Sequence, residues 1–255
     1  MTNFVLEGDA ITNDARTATT RVSNSCAISD KTARITGTQE AVSKAGRKSE
    51  MAYAMAQRSK ELKRDVESIL LANNAEVTGG TTTARECAGI EAWIATNTSE
   101  AADATNAAGT GNDARTEGTA RAFTEAQLKS VIQSAWTAGG NPDCVMVGAF
   151  NKQQLSGFSG GSTRFDKSED KRLVAAVDVY ESDFGALKVI PNRFQNQKTA
   201  LVLQMDMWAM ATLRPFQTKP IARTGDSEAR QLLVEYTLEA RNEAASGAIY
   251  DLTTS

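Results

Sequence analysis

The fold is decided by residues 48–73, KSEMAYAMAQRSKELKRDVESILLAN. Ser49 is a good helix cap, and apolar residues follow it at spacings of three, four and seven. These apolar residues are Met51, Met55, Leu62, Val66, Ile69 and Leu70. Charged residues lie mostly off this stripe, which predicts one amphipathic helix about 35–40 Å long. We expect this helix to brace an elongated lobe of the protein.

The segment before the helix, residues 1–47, is rich in Thr, Ser, Asn and Asp. Two short stretches, around residues 20–28 and 33–38, are separated by the turn-like trio Ser29-Asp30-Lys31. This pattern predicts an extended, hairpin-like arm. Because the arm has too few large apolar residues to bury a core of its own, we expect a neighbouring copy to order it.

The chain after the helix mixes further helices and strands. Residues 74–122 predict a long loop with a short helix in the apolar patch 88–95. Thr124 and Gln127 resemble a capping box, which predicts a second helix over residues 123–138. Strand patterns follow at residues 144–150, 174–180, 186–191, 201–207 and 232–238. Because helices and strands do not alternate regularly, the predicted fold class is α+β.

The composition indicates a soluble, folded protein with an even charge balance. The 255 residues are 41% hydrophobic and 23% charged, with a net charge of -3, which gives no sign of affinity-driven DNA binding. Cys26, Cys87 and Cys144 are far apart and predict reduced thiols in a cytosolic setting. The sequence has no apolar run of bilayer length and no signal-peptide pattern, so we expect no membrane partner and no secretion.

The sequence contains no histidine. Histidine is the side chain that titrates near neutrality, and it is the commonest general base and metal ligand. A large class of active sites is therefore excluded, and we expect the protein not to be an enzyme.

Several short motifs invite a catalytic interpretation. Residues 157–161, GFSGG, match a nucleophile elbow, but such a site needs a histidine base, and a flexible loop is the simpler interpretation. Residues 109–113, GTGND, are rich in glycine but lack the ending that holds a phosphate. Residues 205–210, MDMWAM, predict core packing in preference to a soft metal site. Asn97 begins a sequon that we treat as chance.

Two groups of carboxylates could in principle bind Ca²⁺ or Mg²⁺ through oxygen ligands. They comprise Glu7, Asp9 and Asp14, and then Asp166, Glu169 and Asp170. Neither group has EF-hand spacing, so solvated charge is the expected role, and we predict no metal and no cofactor.

A set of phrases along the chain resembles one family, the major capsid proteins of tailed bacteriophages. No single phrase is diagnostic, but their order along the chain is. The phrases are LEGD (6–9), ITGTQEAV (35–42), AGRKSE (45–50), ELKRDVE (61–67), AGGNPD (138–143), YESDFG (180–185), LRPF (213–216), TGD (224–226) and EYTLE (235–239).

The resemblance implies the Hong Kong 97-like major capsid fold, with an extension loop, a long spine helix in a peripheral domain, and an axial domain. The implied divisions are residues 1–47 for the N-terminal segment and extension loop, 48–122 for the peripheral domain, 123–214 for the axial domain, and 215–255 for the return to the peripheral domain. Similar proteins carry further residues before the LEGD phrase, so trimming, processing or a displaced start are the alternatives for this chain.

The resemblance also implies a function. Copies of the chain would assemble as hexamers and pentamers into an icosahedral head, which encloses double-stranded DNA held by proximity without sequence specificity. Scaffolding, portal and cement proteins are the implied further partners, and the chain would be a virion component assembled in the cytoplasm of the bacterial host. The alternatives are the shell protein of an encapsulin-like nanocompartment and a histidine-free hydrolase that uses carboxylates.

The residues that we expect to matter lie at contacts between subunits. The candidates are Arg21, Lys31, Arg34, Glu40, Arg47, Arg214, Arg223 and Asp226. Some members of the wider fold join a lysine of the extension loop to an asparagine of a neighbouring subunit, and Lys31 with Asn242 is the candidate pair here.

Overall fold

The computed structural model describes residues 21–158 and 177–255, together with residues 7, 8 and 18. Its helices and strands are β1 (Ala27–Thr36), α1 (Gly37–Ala41), α2 (Glu50–Leu70), β2 (Thr98–Ser99), α3 (Glu125–Thr137), β3 (Cys144–Val147), α4 (Ala149–Ser156), β4 (Val179–Ser182), β5 (Gly185–Pro191), β6 (Ala200–Leu203), β7 (Trp208–Ile221), β8 (Ser227–Ala240) and β9 (Gly247–Ile249). This mixture confirms the predicted α+β class.

Helix α2 is the long helix that the sequence predicts. Its cap is Ser49, whose hydroxyl accepts a hydrogen bond from the Ala52 N–H at 3.2 Å. With 21 residues the helix is about 31 Å long, slightly shorter than predicted. Met51, Leu62 and Val66 are buried, so the predicted apolar stripe is the face that packs against the protein.

Strands β1, β8 and β7 form a three-stranded antiparallel sheet in that order. Helix α2 lies on one face of this sheet and packs against β1 and β8. Leu62 and Val66 of the helix share a core with Val234 and Tyr236 of β8. The burial of these large apolar side chains is the main force that holds helix and sheet together.

The predicted turn at Ser29-Asp30-Lys31 is wrong. These residues lie inside β1, which pairs without interruption from Ala27↔Tyr236 to Thr36↔Ser227. Their polar side chains have partners in the same chain: the Ser29 and Tyr236 hydroxyls lie 3.2 Å apart, and Lys31 forms an ion pair with Asp65 at 2.8 Å. The part of the arm within β1 is therefore ordered by its own chain through β8.

The second sheet has six strands in the order β2-β9-β6-β3-β5-β4. Helix α3 covers one face, and its Thr124 forms the predicted capping box with Gln127. The other face packs against the apolar segment around Ile90 and Trp93, where a short 3-10 helix forms within the predicted patch 88–95. Leu238 and Trp208 of the first sheet join this core, so the two sheets share one apolar layer.

Strand β7 is the largest element that the sequence does not predict. It contains Pro215 and Pro220, which are tolerated because β7 lies at the edge of its sheet. Register shifts between Thr212 and Gln217 also break its alternation. The expected domain boundary at 214/215 falls within this strand.

The remaining predicted strands differ from the observed strands in several places. Strand β3 ends at Val147, and residues 149 and 150 of the predicted strand 144–150 belong to α4. Strand β6 ends at Leu203, and a 3-10 helix occupies residues 205–207. Met205 and Met210 are each 44% exposed, so the predicted role of these methionines in the core is wrong. Of the predicted strand 174–180, residues 174–176 lie outside the described part of the chain.

Some of the sequence motifs lie outside the described residues. They are positions 159–161 of the GFSGG motif and the carboxylates Asp9, Asp14, Asp166, Glu169 and Asp170. Within the described residues, none of the helices has the length and apolar character needed to cross a membrane.

Candidate assembly surfaces

Glu40 is placed by α1 at the start of α2. Its Oε2 accepts hydrogen bonds from the N–H groups of Glu50 (2.9 Å) and Met51 (3.3 Å) and pairs with Lys44 at 3.3 Å. The Ser49 hydroxyl and these donors lower the pKa of Glu40 to about 2. A carboxylate at this position also interacts favourably with the helix dipole. Glu40 therefore fixes the start of α2 in its own chain, and its contact with a neighbouring copy stays a prediction.

Two predicted contact residues, Arg34 and Asp226, meet at the turn between β7 and β8. Arg34 donates from Nε to the Ser227 hydroxyl (2.9 Å) and from Nη2 to the Thr224 carbonyl (3.1 Å). The Gly37 N–H donates to the Asp226 carbonyl at 3.1 Å, and a Cβ at Gly37 would lie only 2.1 Å from Asp226 Oδ1. The end of β1 thus holds the tip of the hairpin, and a larger residue at position 37 would have to displace the Asp226 side chain.

Arg223 extends from the same turn towards solvent. Its side chain is 74% exposed and lies 3.7 Å from Glu228 Oε2, so its interaction within the chain is weak. Arg34, Arg223 and Asp226 therefore form one surface, which we call the hairpin tip. This surface offers an exposed guanidinium group beside the backbone turn that Arg34 contacts.

Arg214 lies on the other face of the sheet, opposite to α2. Its Nε donates to Glu235 Oε2 at 2.6 Å, while Arg85 Nη2 donates to Glu235 Oε1 at 2.8 Å. The Glu235 side chain is only 4% exposed, whereas both arginines remain about two-fifths exposed. The two arginines compensate the buried carboxylate and fix the loop that carries Arg85 against the sheet.

The other predicted contact residues lie apart from the hairpin tip. Lys31 pairs with Asp65 on α2, and Arg47 pairs with Glu50 at 3.2 Å with its guanidinium 4.3 Å from the Tyr53 ring centroid. Arg21 and Asn242 are exposed. The structure thus brings three of the eight candidates together and disperses the rest.

An apolar groove of about 470 Å³ lies between α2 and β7. We call it the α2/β7 groove. Its apolar lining consists of Val66, Leu70, Leu71, Ile90, Met146, Leu203, Met205, Trp208, Ala209, Met210, Phe216 and Leu238. Lys63 and Glu67 also line it, and the Lys63 ammonium lies 6.0 Å from the Phe216 ring centroid. Sequence reasoning missed this groove because it missed β7.

A second exposed apolar feature lies at the end of α3. Trp136 is 53% exposed, and its ring packs against Phe184 at a centroid distance of 5.2 Å. Phe184 lies at the turn between β4 and β5, and β4 is an edge strand. Exposed aromatic residues beside a strand at the edge of the described sheet are typical of surfaces that contact another protein.

A cluster of buried charged side chains joins residues of the long loop to Asp251, which follows β9. Both oxygens of Asp251 accept hydrogen bonds from Arg115 Nη2, at 2.7 and 2.8 Å, and the guanidinium lies 4.1 Å from the Tyr250 ring centroid. Burial opposes ionisation of Asp251, but Arg115 and two backbone N–H groups hold its pKa below the usual 3.8. Glu91 differs, because its burial raises its pKa to about 7.

Two of the three cysteines, Cys87 and Cys144, are buried. Burial raises the pKa of both Cys87 and Cys144 to about 11, so these thiols stay protonated at neutral pH. Among the described residues, the His, Cys, Asp and Glu side chains form no cluster that could hold a metal ion. The buried charges therefore act in the packing of the chain, while the exposed apolar surfaces are available to partners.

Comparisons with known proteins identify the family. The sequence profile of the SU10 major capsid protein family matches residues 1–253. The major capsid protein of Escherichia phage Phieco32 is 25% identical over 284 residues, which covers 97% of this chain and 81% of that protein.

Solved structures show the fold. The capsid protein of cyanophage A-1(L) matches with a TM-score of 0.62 at 13% identity, over 89% of this chain and 78% of its own. A chain from the structure of Gordonia phage Cozz matches with a TM-score of 0.57 at 12% identity, over 99% of this chain and 80% of its own. The SrpI encapsulin of Synechococcus elongatus matches with a TM-score of 0.56 at 9% identity, over 90% and 75%.

These structures confirm the Hong Kong 97-like fold that the sequence phrases imply. The family match extends over nearly the whole chain, and the sequence similarity is to a phage protein. The chain belongs to the SU10 major capsid protein family.

Proposed function

We propose that copies of this chain form hexamers and pentamers, and that these rings close into the icosahedral head around the double-stranded DNA of a tailed phage. Membership of a major capsid protein family provides the basis for this proposal. The observation that carries it is the set of apolar side chains left open on a folded chain, at the α2/β7 groove and at Trp136. Many weak contacts of this kind become stable when symmetry repeats them.

We divide the chain differently from the expectation based on sequence. The peripheral domain comprises the three-stranded sheet and α2, built from residues 21–73 and 208–241. The axial domain comprises the six-stranded sheet with α3 and α4, and its main segment is 123–204. This division follows the two sheets and keeps β7 whole, whereas a boundary at 214/215 would separate six of the eleven β7 residues that pair with β8 from their partners.

The inner surface of such a head would meet DNA without specific contacts. The net charge of -3 suits a container, because strong binding of phosphates would hinder the packing and release of DNA. We expect assembly in the cytoplasm of the bacterial host, with no enzymatic activity of the subunit.

Scaffolding, portal and cement proteins are the further partners that we propose. Two structural matches support proteins of this kind. The procapsid of satellite phage P4, with a TM-score of 0.58, includes a size determination protein. The capsid of phage G, with a TM-score of 0.50, includes decoration proteins.

The two alternatives are less well supported. The likeness to the encapsulin concerns the fold, at 9% identity, whereas the relative that matches by sequence is a phage capsid protein. A carboxylate hydrolase would need a reachable acid with a raised pKa. Glu91 has such a pKa, but it is only 1% exposed, so a substrate could not reach it.

Negative-stain microscopy of the purified chain tests the proposal. We expect rings of five and six subunits and closed particles. A chain that remains monomeric at all concentrations, and that hydrolyses simple esters or glycosides, would support the hydrolase instead.

A further inference from the structure

The α2/β7 groove is an open apolar surface on an otherwise well-packed chain. Met205 and Met210 are each 44% exposed, and Phe216 is 37% exposed. Helix α2 packs over β1 and β8, which leaves the helix-side face of β7 open. An exposed apolar patch of this kind marks a site of contact with another molecule.

The groove continues into a polar depression that also contains Lys63 and Glu67. Glu67 accepts a hydrogen bond from Asn192 Nδ2 at 2.6 Å, so its carboxylate is already engaged. Lys60 and Lys63, in contrast, have no carboxylate within ion-pair distance in the described ranges. The apolar groove therefore ends beside the ammonium groups of Lys60 and Lys63, which share this depression with the carboxylates of Glu61 and Glu67.

The occupant should be apolar at one end and acidic at the other. Residues 4–9 of the chain, FVLEGD, have this pattern: three large apolar side chains, then Glu7 and Asp9. Of these residues, Glu7 and Gly8 are described, and both are exposed. Apolar contacts would supply affinity, and the carboxylates would fix the direction of the segment beside the lysines.

We propose that residues 4–9 of a neighbouring copy dock in the α2/β7 groove, with Phe4 and Leu6 in the apolar part and Glu7 beside Lys63. This inference rests on the proposed function, because only assembly brings a second copy to this surface. Asn24, which donates to the Leu238 carbonyl at 3.0 Å, lies on the β1 side of β8, whereas the groove lies on the β7 side. A neighbouring copy can supply the segment without its chain having to cross the sheet from the β1 edge to the β7 edge.

The first test measures binding of a synthetic peptide with the sequence of residues 1–12. The receptor is the full chain with Phe4→Asp and Leu6→Asp, which leaves its groove free, in a Trp136→Phe background. Because Trp208 lines the groove, docking should shift its emission to shorter wavelength in a saturable manner. A peptide that carries the same two aspartates should not bind, and a normal peptide without effect on Trp208 emission would overturn the proposal.

A substitution in the groove provides the matched comparison. Met210→Asp places a charge on the apolar lining and should weaken peptide binding by about tenfold or more. Met210 is well exposed, so the variant should fold, and Phe216→Asp serves as a second groove variant. Val42→Asp, at a residue that is 58% exposed and does not line the groove, should bind the peptide normally. Equal binding by the Met210 and Val42 variants would contradict the proposal.

The second test separates a neighbouring copy from the same chain. The Phe4→Asp/Leu6→Asp variant and the Met210→Asp variant are each expected to assemble poorly when alone. When they are mixed, the intact segment of one should dock in the intact groove of the other and restore particles. A mixture that assembles no better than either variant overturns docking between copies.

The two proposals can fail separately. If both variants assemble as well as the unsubstituted chain, the groove inference is wrong and the shell function stands. If the unsubstituted chain does not assemble, the shell function fails, and the peptide measurement still decides whether the groove binds residues 4–9.

Discussion

Replacement of Glu91 by glutamine should stabilise the protein at alkaline pH. Glu91 is 1% exposed, and its Oε1 accepts a hydrogen bond from the Thr199 hydroxyl at 2.9 Å. Its Oε2 is buried without a partner among the described protein groups. The nearby Arg115 is engaged by Asp251, so the carboxylate lacks full compensation. Burial is therefore the main reason that the pKa of Glu91 rises from 4.5 to about 7.

The size and sign of the effect follow from this pKa. The pKa of Glu91 is higher in the folded protein than in the unfolded chain. Below about pH 4.5 the carboxyl is protonated in both the folded and the unfolded chain, so its burial does not lower the stability through ionisation. The penalty grows as the pH rises to about 7 and is then complete. A rise from 4.5 to about 7 corresponds to roughly 3 kcal/mol of unfolding free energy. Glutamine keeps the shape of the side chain and cannot ionise.

Guanidinium unfolding of the unassembled chain at pH 5 and pH 8 measures this effect. We expect Glu91→Gln to raise the unfolding free energy by up to about 3 kcal/mol at pH 8 and to change it little at pH 5. Glu239→Gln, at an exposed carboxylate, should change neither value. The reasoning is refuted if Glu91→Gln destabilises the protein equally at both pH values.

Three further predictions concern the helix starts and the possible crosslink. Glu40→Gln should lower the melting temperature at pH 7. Because the pKa of Glu40 is lowered, the difference in melting temperature between the unsubstituted chain and the variant is complete above pH 4.5 and should shrink as the pH falls towards 2. A difference that does not change with pH would contradict the role of the Glu40 carboxylate at the start of α2. Thr124→Ala should cost about 1 kcal/mol by removing the cap of α3, whereas Thr124→Ser should retain most of the stability in the same unfolding assay. If Lys31 and Asn242 join neighbouring copies, assembled particles should give a ladder in denaturing gels that Lys31→Arg abolishes; a ladder in that variant would exclude the pair.

The sequence predicted the elements whose signals are local. Helix α2 has a cap and an uninterrupted apolar stripe within one segment, and α3 has its capping box, so both were placed within a few residues. Strand β8 alternates over Leu232, Val234 and Tyr236 because one face meets α2. The ordered phrases also led to the correct fold and family.

The elements that the sequence did not predict depend on partners distant in the chain. Strand β1 continues through Ser29 and Lys31 because Tyr236 and Asp65 satisfy their polar groups, and neither partner is visible locally. Strand β7 contains two prolines, which argue against a strand when only the sequence is considered. Prolines are tolerated here because β7 lies at the edge of its sheet. The α2/β7 groove was not predicted either, because one of its two walls is β7.

The surroundings of the candidate contact residues also depend on parts of the chain that are distant in sequence. Arg34 and Asp226 were named separately, but only the folded chain shows that both hold the hairpin tip. The turn itself joins the consecutive strands β7 and β8, but Arg34 reaches it only because β1 pairs with β8, which lies far away in the sequence. Composition and spacing can select charged residues, yet they cannot show which of them remain free for a neighbour.

The central claim is that this chain builds a closed shell from copies of itself. Cryo-electron microscopy of particles from cells that express the chain tests it most directly. We predict closed icosahedral particles in which the subunits form rings of five and six, with α2 and the β7–β8 hairpin visible in each subunit. Open filaments, or a chain found only as single subunits, would contradict the claim.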